Sequence, residues 1–127
     1  MKRIAIFIAV GSAAALTHLL VVAIVVELFG LKPLAANVIG FCGAFLVSFA
    51  GHARWTFPLS PDRFAAARRR FFAVACTGFL LNQAAYAEAL YLFGPRYYLP
   101  VLAAVLVGVA VATFLLSKLW AFAQPQS

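Results

Sequence analysis

Between residues 4 and 26 the chain carries no charged side chain, and three further long apolar stretches follow. This pattern limits the fold more than any motif does. A helix needs about 20 apolar residues to cross the ~30 Å hydrocarbon core of a bilayer. Helices and closed barrels alone satisfy their backbone groups there. The stretches read as spans over about 4–29, 34–57, 71–93 and 99–122 and occupy nearly all of the 127 residues. The expectation is one all-α, polytopic transmembrane domain, with no room for a separate soluble catalytic domain. Composition agrees, at 66% hydrophobic and 10% charged, against about 45–50% and 25% in soluble domains.

Local signals punctuate the spans. Ala13-Ala14-Ala15 imitates a signal-peptide cleavage site, but the apolar run continues past it, so a first transmembrane helix is expected. Gly30 suits the end of that helix and Pro33 the start of the next. Ser60-Pro61-Asp62 opens a polar stretch, 59–70, that leads into the third span, and Gly94-Pro95 closes it. Cys42 and Cys76 lie within apolar runs and read as small core residues, with no metal-ligand neighbours.

Net charge is +7. With the N-terminus inside, Lys2, Arg3, Arg54, Arg63, Arg68, Arg69, Arg70 and Lys118 fall on the cytoplasmic side, and only Lys32 and Arg96 outside. That is a strong positive-inside bias, and both termini are expected in the cytoplasm. Nucleic acid is not an expected partner, because the chain has no solvated basic face; membrane lipids are.

The halves of the chain resemble each other. Phe7-Ile8-Ala9-Val10 matches Phe71-Phe72-Ala73-Val74, and Leu28-Phe29-Gly30 matches Leu92-Phe93-Gly94, both at an offset of 64. A ladder of small residues, Ala36, Gly40, Ala44 and Ser48, recurs as Pro100, Ala104, Gly108 and Ala112. Each half then closes on F-x5-W-x-F: Phe49, Trp55, Phe57 and Phe114, Trp120, Phe122. Two parallel two-helix repeats are expected, related by an axis along the membrane normal. The ladders predict close packing of the second helix on the fourth, with both Gly40 and Gly108 intolerant of bulk.

Polar residues inside the spans are costly and ask for a reason. His18 and Asn82 lie near the middle of the first and third spans, again 64 apart. They serve either an interhelical hydrogen bond or a polar lining for something that crosses. Glu88 is a shallower intramembrane carboxylate and a third candidate for such a path, within reach of Arg96 or Lys32. Glu27 reads as a solvated interfacial charge, and Tyr97 and Tyr98 as an outer aromatic belt. At the opposite boundary His52 and Arg54 flank Trp55, and Ser117 and Lys118 precede Trp120. With Arg69 and Arg70 they place donors suited to phosphate at headgroup depth. No nucleophile–base pair, carboxylate dyad, metal spacing or phosphate-binding glycine loop is present, so neither an enzyme, a cofactor nor a metal is expected.

With Gly11, Gly78-Phe79-Leu80-Leu81-Asn82 and the two F-x5-W-x-F endings, the chain resembles the GtrA-like family of small four-span proteins over nearly its whole length. The family carries Asn then Arg or Lys between the first Phe and the Trp. Here His52 and Ala53 stand at those places, followed by Arg54, and in the second copy Ser117 replaces the Asn while Lys118 keeps the cation. The resemblance implies a bacterial cytoplasmic membrane protein that translocates a polyprenyl-phosphate-linked sugar, such as undecaprenyl-phosphate glucose, to the outer leaflet for cell-envelope polysaccharide. It also implies a membrane glycosyltransferase as partner. The rival class is an anchor that recruits such a transferase without transport; a small-molecule or ion transporter fits less well. Four helices can hardly enclose a phosphosugar and its tail. Either the tail stays in lipid, or a homo-oligomer forms the path.

Overall fold

The computed structural model describes residues 2–51 and 61–123, with side chains outside the description at 3, 61–68, 71 and 113–123. Four helices follow in order: α1 (Lys2–Phe29), α2 (Pro33–Gly51), α3 (Pro61–Phe93) and, after a 3-10 turn at Pro95–Tyr97, α4 (Tyr98–Ala123). There is no strand among the described residues. Ile4–Phe29, Pro33–Gly51 and Pro95–Ala112 are each long and apolar enough to cross a membrane. The fourth helix, α3, carries more polar side chains. At 33 residues and 1.5 Å per residue it is about 50 Å long, so its arginine-bearing start extends beyond a hydrocarbon core. The fold is an all-α polytopic membrane protein.

The same device closes α1 and α3. Gly30 and Gly94 have φ of 69° and 89°, where an L side chain is strained and glycine is not. Their amides return to the last helical turn, Gly30 N–H to Val26 O at 3.1 Å and Gly94 N–H to Leu90 O at 2.8 Å. Every residue of this pair of caps is 64 from its counterpart. Pro33 then opens α2, where a missing N–H costs nothing.

Each cap folds its helix into a hairpin: α1 packs mainly on α2, and α3 on α4. The core lies towards the capped ends and comprises Val22, Val25, Ala36, Tyr86, Tyr98 and Leu102. Val22 and Tyr86 are themselves repeat equivalents. Leu16, Leu20, Leu46, Leu80 and Leu92 are exposed, as suits helices solvated by lipid chains.

Two expectations about packing are corrected, besides that of Cys42 as a small core residue: it is exposed. The small residues of α2 serve the α1 seam, not one with α4. A Cβ on Gly40 would lie 2.7 Å from Val22 Cγ2, 2.8 Å from His18 Cδ2 and 3.0 Å from the His18 carbonyl oxygen. Gly43 sits near Val21 and Thr17, and a Cβ on Gly51 would be 2.7 Å from Val10. A strict four-residue ladder turns by about 40° per step on a 3.6-residue helix, so the seam leaves Ala44 for Gly43. Around Gly108 there is no atom within 4 Å of an added Cβ, so it makes no close approach.

The second correction concerns the capped end. Tyr98 is buried, not part of a belt, whereas Tyr97 is exposed. The Tyr98 hydroxyl donates to Glu27 Oε1 at 2.5 Å, and Tyr86 donates its own to the Tyr98 carbonyl at 2.8 Å. Glu27 is exposed yet joins α1 to α4 rather than standing alone in solvent. A phenol whose ring fills the core and whose hydroxyl reaches a carboxylate satisfies both of its ends.

Candidate functional site

His18 and Asn82, placed in equivalent positions by the repeat, are brought together through a third residue. Asn37 of α2 is fully buried between them, with His18 4% and Asn82 5% exposed. Asn37 Oδ1 lies 2.6 Å from His18 Nε2, and its Nδ2 donates to Asn82 Oδ1 at 2.7 Å and to Gln83 Oε1 at 2.8 Å. Gln83 Nε2 in turn donates to the Leu34 carbonyl at 3.0 Å.

The backbone fixes the direction of this chain. A carbonyl accepts only, so the Gln83 amide must turn its nitrogen to Leu34 and its oxygen to Asn37. Asn37 must then offer its NH2 to Gln83 and Asn82, which leaves its oxygen for the imidazole. Nε2 of His18 therefore carries a proton and donates to Asn37.

His18 and Asn82 also line a cavity of about 230 Å³ with Phe41, Ala75, Gly78, Phe79, Leu106, Val109 and Ala110. All four helices contribute to it. Among the described residues no fully buried side-chain nitrogen or oxygen lacks a partner. Nδ1 of His18 and Nδ2 of Asn82 make no bond within the cluster, and both residues border the cavity. A Cβ on Gly78 would touch nothing within 4 Å, which shows how much of the α3 wall is open.

Aromatic rings continue from the cavity towards the arginine-bearing end. Phe41 stacks on Phe79 with centroids 4.5 Å apart, and Phe45 meets Phe72 edge-on at 5.4 Å. Beyond them a groove of about 440 Å³ is lined by Phe45, Leu46, Phe49, Phe72 and Arg69. Arg69 and Arg70 are both exposed, but only Arg69 borders the groove. A larger apolar hollow of about 870 Å³ lies between α1 and α2, bordered by Ile6, Ala9, Val10, Ala13, Val47, Ala50 and Gly51.

The other residues singled out by sequence are placed as follows. Glu88 is exposed on α3 and takes no part in the cavity wall. His52, Arg54 and Trp55 lie outside the described residues, and Ser117, Lys118 and Trp120 belong to α4 with side chains outside the description. Asn37 and Gln83 were missed. The signal for Gln83 was its place beside Asn82. For Asn37 it was an amide four residues into an otherwise apolar helix.

Fold and centre together define a polytopic membrane protein built as two helical hairpins joined by a buried polar cluster of α1, α2 and α3. The family described as GtrA/DPMS, transmembrane domain, matches residues 6–122, and the chain belongs to that family. It is thereby a membrane protein of polyprenyl-linked sugar processes, in a family regarded as one of translocases rather than enzymes. No curated protein and no solved structure matches the chain significantly.

Proposed function

We propose that the protein carries a polyprenyl-phosphate-linked sugar, such as undecaprenyl-phosphate glucose, from the cytoplasmic to the outer leaflet of a bacterial inner membrane. The observation that carries this reading is the polar cluster opening into a cavity to which all four helices contribute. A cluster serving only to join helices has no need of a cavity beside it. The route begins at a cationic rim for the lipid phosphate, for which the sequence offers Arg54, Lys118, Arg69 and Arg70, with His52, Ser117, Trp55 and Trp120 in the same two motifs or beside them. The Arg69 groove and the phenylalanine tier lead from that rim to His18 and Asn82. A cavity of about 230 Å³ suits a headgroup and not a prenyl tail, so the tail travels in lipid. A membrane glycosyltransferase supplies the substrate on the cytoplasmic face.

The test is reconstitution of purified protein into vesicles with a labelled undecaprenyl-phosphate glucose, followed by leaflet-resolved access of an impermeant glucose-specific enzyme. Protein-dependent transfer between leaflets is the expected result. Binding of the lipid or of a glycosyltransferase without transfer would sink translocation and favour the anchor.

A further inference from the structure

His18 and Asn82 border the cavity, and each has a nitrogen that makes no bond within the cluster. In the neutral imidazole Nδ1 of His18 offers a lone pair, because the direction fixed by Leu34 puts a ring proton on Nε2. Nδ2 of Asn82 offers N–H groups, because Asn82 accepts from Asn37 through its oxygen. Among the described residues no acidic side chain lines the cavity. An acceptor beside a donor matches a hydroxyl, which donates and accepts at once. It does not match a phosphate, which only accepts when ionised and would meet the Nδ1 lone pair with repulsion. The rest of the wall is apolar, with the Phe41–Phe79 pair on one side, a surface suited to the C–H face of a sugar ring and costly for an anion.

We infer that the His18–Asn82 cavity is a subsite for the hydroxyls of a neutral sugar headgroup, and that the lipid phosphate is held elsewhere. This rests on the translocation reading for its ligand, though not for its chemistry. In consequence the protein discriminates glycosylated from bare polyprenyl phosphate at mid-depth.

The test uses the full chain in lipid nanodiscs, with undecaprenyl-phosphate glucose and undecaprenyl phosphate as probes. The parent should bind the glucose lipid roughly tenfold more tightly, the worth of one or two net hydrogen bonds. Gly78→Leu fills the cavity from a position with no atom within 4 Å of its Cβ, and should abolish that preference while leaving undecaprenyl phosphate binding unchanged. Asn82→Leu, which removes the donor, should do the same. Equal binding of the two lipids by the parent overturns the subsite, as does an equal loss for both lipids in both variants. Preference for the glucose lipid without transfer between leaflets removes translocation and leaves the subsite standing. Transfer without preference does the reverse.

Discussion

Asn37 is the residue on which the centre depends. It makes three of the cluster's side-chain bonds, to His18, Asn82 and Gln83, and has no accessible surface. Interhelical hydrogen bonds in membranes average only about 0.6 kcal/mol each, so Asn37→Leu should cost about 2 kcal/mol if the three partners relax. It should cost more if His18 and Asn82 stay buried with their polar atoms unpaired. Gln83→Leu breaks one bond of that set and the link to Leu34, and should cost less. Thermal unfolding in detergent ranks the variants; equal costs would mean that the cluster does not act through Asn37. His18 and Asn82 were legible because the repeat pairs them and charge-free spans make any polar group conspicuous. Asn37 was not, since burial of an amide near a helix start depends on a neighbour that sequence order does not announce.

At the level of the helices, the contrast between two glycines is the sharpest check. Gly40→Leu would drive a side chain into Val22, the His18 ring and the His18 backbone, and should prevent accumulation of folded protein through overpacking. Gly108→Leu meets open space and should yield a monodisperse product in detergent chromatography. The reverse order would mean that α4, not α1, covers the small face of α2. At the other end, Tyr98→Phe removes the link from α4 to Glu27 and should lower stability by about 1 kcal/mol. Glu27→Leu should cost no more on the Tyr98→Phe background than that single change already does, since one bond cannot be lost twice. Helices, caps and repeat were readable, because apolar length, glycine and proline act locally. Which helix a ladder of small residues faces was not, since a stripe on one helix fits any partner of suitable shape.

For the molecule as a whole, the distribution of basic residues predicts the orientation. Cysteines placed at Lys32 and at Arg69, on opposite ends of the bundle, should react with an impermeant thiol reagent from opposite sides of the membrane, with Arg69 inside. Labelling of both from outside would refute that topology and with it the place of the cationic rim. The two hairpins share their caps and the His18–Asn82 pairing, but Asn37 has Val101 as its counterpart, and Val101 packs against the apolar core. Two copies of the first half would bring two such amides to one histidine pair, and two copies of the second would bring none. Self-association of either half therefore cannot reproduce a centre with one directed chain of hydrogen bonds. Only unlike halves joined in fixed proportion supply a single amide between a histidine and an asparagine, which makes the covalent fusion, and not the symmetry, the source of the polarity at the heart of the bundle.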